Sequence, residues 1–261
     1  MMIHVKKILL PLLITPFVIG VSQTFPMGLI SVKATAQSLT AVPTPLQGKQ
    51  KIILIGDSIT QAGGQFGGYI WLMRRYLNQL YPQQGIELIN AGVSGNRAED
   101  LQNRFQQDVI AQNPDLVMIN VGVNDAMQSL QKSQDQAADL EGYRQNLVAM
   151  IQAAKAKNIS VLLLSPTLVS EDLNSPKNLR LAQYITAMAE VSQTRACQYI
   201  DLNIPFKHVI STYQRYGGNR QNILTRDGIH PNLAGYQIMA YTILLGLGIP
   251  QQNIQNLQVI E

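Results

Sequence analysis

The feature that most constrains the fold of this chain is the regular alternation of short aliphatic runs with longer amphipathic segments. The short runs, such as ILI, LVMIN and VLLL, are continuously apolar, which is typical of parallel strands covered on both faces. The longer segments repeat apolar residues at three and four positions, as helices with one buried face do. The pattern predicts strands at 51–56, 86–93, 116–122, 160–165 and 198–202, and helices at 68–81, 97–112, 139–158, 176–195 and 233–247. Five such units predict an α/β protein, a three-layer α/β/α sandwich with a five-stranded parallel sheet.

Residues able to do chemistry follow the predicted strands directly. Ligands of an open parallel sheet bind beyond the carboxyl ends of its strands, so a functional site is expected at these positions. The segments are GDS at 56–58, GVSGN at 92–96 and GVND at 122–125, and DGIH at 227–230 precedes the last predicted helix. We therefore expect the four segments to meet at one edge of the sheet.

Ser58, at the end of the first predicted strand, has candidate partners in the other three segments. A serine hydroxyl becomes a good nucleophile when a histidine takes its proton. His230 lies three residues after Asp227, a spacing that lets the carboxylate orient one imidazole nitrogen while the other faces Ser58. Acyl transfer also needs hydrogen-bond donors for an oxyanion, and the N–H groups of Ser58 and Gly95 and the side-chain amide of Asn124 are the candidates.

Several of these positions also have a structural interpretation. Asp57 and Ser58 both belong to residue types that cap helices well, so the pair alone favours a helix start as much as a catalytic site. We expect Asp57 to be a structural hydrogen-bonding group and Asp125 to belong to a cap or a turn. His208, the other histidine of the predicted domain, is interpreted as an ordinary surface or core residue.

The segment after the first predicted strand is rich in glycine, with Gly63, Gly64, Gly67 and Gly68 close together. Their spacing is not G-x-G-x-x-G, and no lysine follows as in a phosphate-binding loop. We interpret the segment as a mobile loop that lines the entrance of the site. Trp71, in the helix that follows, is interpreted as a core residue rather than a platform for a sugar ring.

Taken in order, GDSI, NAGVSGN, GVND and DGIHPN resemble the four sequence blocks of the SGNH hydrolases, also called GDSL esterases. The resemblance covers residues 51 to about 247, and Ile59 stands where the family name has leucine. It implies a flavodoxin-like SGNH hydrolase fold. The site residues that it implies are Ser58 as nucleophile, His230 as base, Asp227 as the group that orients this base, and Ser58, Gly95 and Asn124 as oxyanion donors.

The resemblance also implies an activity, the hydrolysis of carboxylic esters through an acyl-serine intermediate, without a metal ion or a cofactor. The run at 92–126 is similar to members that deacetylate polysaccharides and other sugars, so a carbohydrate ester is the expected substrate. The connection at 165–176, however, holds no tryptophan that would stack on a sugar. A lysophospholipid or short-chain lipid ester is the alternative substrate. The alternative outside the enzymes is an envelope-associated binding module, against which the complete set of site residues argues. No protein partner is inferred.

The first 36 residues differ in kind from the rest. Lys6 and Lys7 precede an uncharged apolar run at 8–21, and Ala-Thr-Ala follows at 34–36. This order predicts a secretory signal peptide, with an uncleaved membrane anchor as the alternative. We expect residues 37–50 to be a linker and residues 51–250 to be an esterase domain that is exported to the periplasm, the cell envelope or the outside of the cell.

Charge and cysteine content exclude further classes of protein. Three of the 20 basic residues and none of the 16 acidic ones lie in the first 36 residues, so the remainder is nearly neutral. It lacks the basic excess of a nucleic-acid-binding protein. Cys197 is the only cysteine, which excludes an intrachain disulfide and a thiolate metal site. A domain of this length buries enough apolar surface to fold without disulfides.

Overall fold

The computed structural model describes residues 42–131, 135–218 and 221–255, and within them it confirms the expected α/β architecture. The predicted signal peptide or anchor at 1–36 and the start of the predicted linker lie outside the described residues. In the rest of that linker, Thr44–Leu46 forms a short 3₁₀-helix, and Leu46 is completely buried. No helix in the described ranges is both long enough and apolar enough to cross a membrane.

The sheet has five parallel strands in the described part of the chain. They are β1 (Lys51–Gly56), β2 (Glu87–Gly92), β3 (Leu116–Asn120), β4 (Ser160–Leu164) and β5 (Gln198–Ile200). Their order in the sheet is β2-β1-β3-β4-β5. Gly56 pairs with Gly92 on one side and with Asn120 on the other, so β1, β2 and β3 end at the same level. The residues that follow these strands therefore lie side by side, in the crevice where open α/β sheets bind ligands.

Nine helices accompany the sheet in the described ranges. They are α1 (Ser58–Gly63), α2 (Tyr69–Leu80), α3 (Ala98–Asp108), α4 (Val123–Gln131), α5 (Gln136–Lys155), α6 (Pro176–Thr194), α7 (Asn203–Arg215), α8 (Leu233–Gly246) and α9 (Gln251–Gln255). Helices α2 and α8 pack against each other, and α5 packs between α3 and α6. These two groups form the outer layers of the sandwich.

The sequence pattern predicts five of these helices and misses α1, α4, α7 and α9. Helices α1 and α4 begin within three residues of a strand end, where the apolar run of the strand hides the start of the helical pattern. Helix α7 carries Pro205, which a first helical turn tolerates because its N–H needs no partner there. Helix α5 begins three residues earlier than predicted, because Asp135 caps it by accepting a hydrogen bond from the N–H of Ala138 at 3.0 Å.

The end of β1 is a turn that only glycine permits. A side chain at Gly56 would overlap with the hydroxyl of Thr60 and with the main-chain oxygen of Asn120 on the neighbouring strand. The backbone of β1 therefore lies directly against β3 and the first turn of α1. This close approach sends the chain from the strand straight into the helix, with Asp57 as the residue between them.

Candidate active site

Ser58 is the first residue of α1 and lies immediately beyond the carboxyl end of β1. The residue before it, Asp57, is the helix cap, because its carboxylate accepts a hydrogen bond from the N–H of Ile59 at 2.9 Å. Asp57 is buried, which raises its pKa to about 6, although the hydrogen bond from Ile59 and the nearby His230 oppose this rise. Asp57 is thus the structural hydrogen-bonding group that the sequence predicts, and it fixes Ser58 at the start of a helix.

A continuous line of hydrogen bonds joins Ser58 to the acidic end of the DGIH segment. The hydroxyl Oγ of Ser58 lies 2.9 Å from Nε2 of His230, and Nδ1 of His230 lies 2.7 Å from Oδ2 of Asp227. The other carboxylate oxygen of Asp227 accepts from the N–H groups of Ile229 at 3.0 Å and His230 at 2.8 Å. The structure therefore brings together the three residues that the sequence predicts as nucleophile, base and orienting acid.

The charge of Asp227 is stabilised by this arrangement. Partial burial raises the pKa of Asp227, but the hydrogen bonds from the side chain and main chain of His230 and from the main chain of Ile229 outweigh it and lower the pKa to about 2. Asp227 is therefore ionised at every pH at which an imidazole changes charge. Its carboxylate accepts a hydrogen bond from the N–H at Nδ1 of His230, which leaves Nε2 to face the serine hydroxyl.

Glu171, in the connection between β4 and α6, anchors the loop that carries Asp227 and His230. Oε2 of Glu171 accepts from the N–H of Ile223 at 2.6 Å, and Oε1 accepts from the N–H groups of Leu224 and Thr225, both at 2.8 Å, and from the Thr225 hydroxyl. One carboxylate thus satisfies three consecutive main-chain donors just before the DGIH segment. The sequence carries no signal for this role of Glu171, because main-chain partners leave no pattern of residue types.

Two of the predicted oxyanion donors, Gly95 and Asn124, follow the strands that flank β1 in the sheet. Gly95 is exposed in the turn after β2, with a φ of 82° that glycine adopts without strain. Asn124 is in the first turn of α4, and its side-chain nitrogen donates to the main-chain oxygen of Asn96 at 2.9 Å. That bond uses one hydrogen of the amide and fixes its orientation, so the second hydrogen is left for a ligand. The N–H of Ser58, in the first turn of α1, has no acceptor within the helix.

Arg104 connects the turn after β2 to the end of β1. Its Nε donates to the side-chain oxygen of Asn96 at 2.8 Å, and its Nη2 donates to the main-chain oxygen of Gly56 at 3.0 Å. A third nitrogen, Nη1, pairs with Asp108 one turn along α3 at 2.6 Å, which holds the guanidinium in place. The sequence gives no signal for this role, since an arginine on an amphipathic helix usually lies in solvent.

Asp125 caps a helix other than its own. Its backbone lies in α4, but its Oδ1 accepts from the N–H of Ala98, the first residue of α3, at 3.0 Å. Burial raises the pKa of Asp125 to about 7, against the effects of this hydrogen bond and of Arg97. Oδ2 is buried and has no partner in the described part of the chain. The expectation of a cap or turn is thus met by an interaction between α3 and α4, next to the proposed donor Asn124.

The remaining candidates from the sequence lie outside this network. His208 is exposed on α7, which agrees with an ordinary surface histidine. Gly63, Gly67 and Gly68 are buried, and side chains at Gly63 or Gly68 would overlap with the ring of Tyr69 or the main chain of Gly63. These glycines therefore serve close packing, and the interpretation as a mobile loop is wrong for them. Among the described residues, no three His, Cys, Asp or Glu side chains are grouped as metal ligands.

Known proteins share both the sequence blocks and the fold. The model of the GDSL-like Lipase/Acylhydrolase family matches residues 54–238. An acetylxylan esterase from Geobacillus stearothermophilus is 29% identical over 212 residues, which are 76% of this chain and 94% of that protein. The crystal structure of an acetyl xylan esterase, AlAXEase, is 34% identical with a TM-score of 0.67, over 75% of this chain and 98% of that one.

Solved variants of an acetylxylan esterase point to the same residue types. Three structures of Axe2, an acetylxylan esterase from Geobacillus stearothermophilus, are 27% to 28% identical to this chain, with TM-scores of 0.67 to 0.68 over 77% of this chain and 95% of theirs. They carry substitutions of a serine, an aspartate and a histidine that are described as catalytic mutants, and the last two positions are three residues apart. This chain therefore belongs to the GDSL-like lipase/acylhydrolase family and is a carboxylic ester hydrolase with the SGNH fold.

Proposed function

We propose that this chain is an exported serine esterase that removes acetyl groups from a carbohydrate through an acyl-serine intermediate on Ser58. The observation that carries the proposal is the unbroken line of hydrogen bonds from Ser58 through His230 to Asp227. Its distances, 2.9 and 2.7 Å, are those of a base within reach of the proton that it abstracts and of a carboxylate that orients the base.

In the first half of the reaction, Nε2 of His230 takes the proton of the Ser58 hydroxyl as its oxygen attacks the acyl carbon. The negative oxygen of the tetrahedral intermediate accepts hydrogen bonds from the N–H groups of Ser58 and Gly95 and from the side chain of Asn124. His230 then gives its proton to the sugar oxygen as the bond between this oxygen and the acyl carbon breaks. The alcohol leaves, and the acetyl group remains on Ser58.

In the second half, water replaces the alcohol. His230 takes a proton from the water as the water oxygen attacks the acyl carbon, and the same donors stabilise the second tetrahedral intermediate. His230 returns the proton to the Ser58 oxygen, and acetic acid leaves and ionises in solution. Asp227, with its pKa near 2, stays ionised throughout and stabilises the imidazolium in both halves.

The acetyl and carbohydrate parts of the proposal rest on the relatives. Several relatives are acetylxylan esterases, and the chain spans nearly all of their length. Export rests on the N-terminal pattern of two lysines, an apolar run and Ala-Thr-Ala at 34–36. Fractionation of cells followed by N-terminal sequencing of the chain tests export, and a full-length chain in the cytoplasm would contradict it.

A fluorophosphonate probe tests the nucleophile. We expect labelling of the wild type, none of Ser58→Ala, and normal labelling of Ser211→Ala, a control serine on α7 whose hydroxyl bonds the main chain of His208. Hydrolysis of p-nitrophenyl acetate should fall at least about 10³-fold in Ser58→Ala. A loss below tenfold would show that another group is the nucleophile.

A substrate series tests the rest of the proposal. Rates are compared for acetylated xylo-oligosaccharides, lysophosphatidylcholine and p-nitrophenyl esters of two to twelve carbons. The proposal expects acetyl esters to exceed esters of eight or more carbons and acetylated sugars to exceed the lysophospholipid in kcat/KM. The reverse order would identify a lipid esterase on the same catalytic residues.

A further inference from the structure

An exposed aromatic side chain lies on the short connection between α1 and α2. Phe66 is 80% exposed, and its ring centroid lies 4.7 Å from that of Trp71 at an interplanar angle of 53°. The guanidinium of Arg75 lies 4.9 Å from the centroid of the same Trp71 ring. Trp71 is half-buried against the core of the protein, so it gives Phe66 a rigid support. Phe66 is thus an exposed phenyl ring on a fixed support, although burial of such a ring would be favourable.

The same connection touches the segment that carries the proposed base. A methyl group on the Cα of Gly67 would lie 3.1 Å from Cδ1 of Leu233, so the loop backbone and this side chain are in contact. Leu233 is 57% exposed and follows His230 by three residues, while α1, at the other end of the connection, begins with Ser58. Phe66, Trp71 and Leu233, here called the aromatic shelf, therefore extend from the two segments that carry the nucleophile and the base.

Apart from Arg75, whose guanidinium lies against the Trp71 ring, the segments that form the aromatic shelf are polar but uncharged. Residues 58–73 contain no Asp, Glu, Lys or Arg, and neither do residues 228–241, so His230 is the one titratable base in these two segments. Gln61 and Gln65 are exposed in the first of them. A flat apolar ring beside neutral amide groups matches a pyranose, which has an apolar C–H face and a rim of hydroxyls. An anionic phosphate headgroup would instead call for several arginine or lysine side chains, and the two segments supply none.

We propose that the aromatic shelf binds a sugar ring of the substrate next to the ring that carries the ester, with Phe66 stacked on its C–H face. The inference rests on the proposed function, since it assigns a place to the alcohol part of a carbohydrate ester. It makes Phe66 a specificity residue that acts on oligosaccharide esters and leaves small aryl esters unaffected. Stacking requires a flat ring, so leucine at this position does not replace phenylalanine.

Activity measurements on matched variants test this assignment. Phe66→Ala and Phe66→Leu should lower kcat/KM for acetylated xylotetraose by about 3- to 10-fold, the effect of one aromatic contact, whereas Phe66→Trp should retain it. Hydrolysis of p-nitrophenyl acetate should change less than about twofold in all three. The control is Tyr216→Ala, which removes an aromatic ring that is 84% exposed at the end of α7. It should leave both substrates unaffected.

A second readout is independent of turnover, because Trp71 is the only tryptophan of the chain. Titration of Ser58→Ala with unacetylated xylotetraose should change the tryptophan fluorescence, and the added Phe66→Ala substitution should weaken this binding by a similar factor. If acetylated sugars are hydrolysed but Phe66→Ala has no effect in either assay, the shelf assignment is wrong and the proposed function stands. If Phe66→Leu keeps wild-type activity on long-chain esters while Phe66→Ala loses it, the shelf binds an acyl chain instead. If no sugar ester is hydrolysed and no sugar binds, the carbohydrate substrate and the shelf assignment both fail.

Discussion

Arg104 holds Asn96 by a hydrogen bond of 2.8 Å from its Nε to the side-chain oxygen. The same guanidinium donates to the main-chain oxygen of Gly56, two residues before Ser58, and the main-chain oxygen of Asn96 accepts from Asn124. A single side chain thus connects the strand that ends at the nucleophile with the turn that contains Gly95 and orients the side chain of Asn124. Catalysis depends on the relative position of these groups to within fractions of an ångström.

Arg104→Lys should therefore impair turnover more than binding. A lysine ammonium does not reproduce the forked contact with both Asn96 and Gly56, so the oxyanion donors lose their fixed distance from Ser58. We expect kcat for p-nitrophenyl acetate to fall about 10- to 100-fold and KM to change by less than about threefold. Arg144→Lys, which alters a surface ion pair with Glu190 between α5 and α6, is the control and should be near wild type. Equal kinetics for the two variants would show that the Arg104 contacts do not position the site.

Asn124→Asp tests the side-chain donor of the proposed oxyanion site with almost no change of shape. The carboxylate loses the N–H groups that bond the main chain of Asn96 and the developing oxyanion, and it adds a repulsive charge. We expect kcat to fall about 10²- to 10³-fold. Asn103→Asp, on the exposed face of α3, introduces the same charge away from the site and should change kcat by less than about twofold. Similar losses in both variants would indicate a general effect of charge.

Asp227→Asn separates the orientation of His230 from the folding of its loop. An asparagine oxygen still accepts from the N–H groups of Ile229 and His230, but its NH₂ group faces Nδ1 and favours the wrong imidazole tautomer. We expect a loss in kcat of about 10³- to 10⁴-fold with an unchanged melting temperature. Asp172→Asn, which keeps an acceptor for the N–H of Asn174, serves as the matched control. Retention of more than about a tenth of the activity by Asp227→Asn would remove Asp227 from the mechanism.

The sheet and the contact between His230 and Asp227 are predictable because each depends on residue types at short range. Continuous aliphatic runs mark parallel strands, and the strand order brings the ends of β1, β2 and β3 to one level. Asp227 and His230 are three residues apart, so their contact is local. Only the meeting of His230 with Ser58, over 172 positions, requires the fold, and the family pattern supplies it.

The groups that hold the site in place are not predictable in the same way. Glu171 bonds mainly to main-chain atoms, and Arg104 reaches the main chain of Gly56. Every residue has such atoms, so no residue type at the partner position marks these contacts. The sequence pattern favours a local cap at Asp125. The N–H that donates to its carboxylate belongs to α3, however, and only the packing of α3 beside α4 creates that pair. The short helix α1 gives no detectable helical repeat of apolar residues, because its six residues form less than two turns.

Glu171→Gln should loosen the loop that carries Asp227 and His230. Glutamine keeps one acceptor oxygen but turns an NH₂ group toward a main-chain N–H that the carboxylate now satisfies. A donor left without an acceptor costs about 1–3 kcal/mol of unfolding free energy. We expect this loss in urea unfolding, and faster hydrogen exchange at 223–230 than in the control Glu190→Gln. Unchanged exchange in this loop would show that Glu171 does not hold it.

Asp125 makes the stability of the protein depend on pH. The pKa of this carboxyl is about 7 in the folded protein against the ordinary value of 3.8, because burial disfavours the charged form. Between these two values the folded state holds a proton that the unfolded state releases, so the free energy of unfolding falls as pH rises. This stabilisation is complete below pH 3.8 and is lost as pH rises through about 7. Asp57, with a pKa of about 6, contributes in the same direction.

Asp125→Asn should therefore flatten the pH dependence of stability. Its oxygen still accepts from the N–H of Ala98, but the site no longer loses a proton between pH 4 and 8. We expect the wild type to lose up to about 1.4 kcal/mol per pH unit relative to the variant across this range. Urea unfolding at half-unit steps of pH measures the difference, and Asp57 cancels because both proteins contain it. Parallel curves would mean that Asp125 ionises as easily in the folded as in the unfolded chain, and its buried Oδ2 would then have to be reached by water.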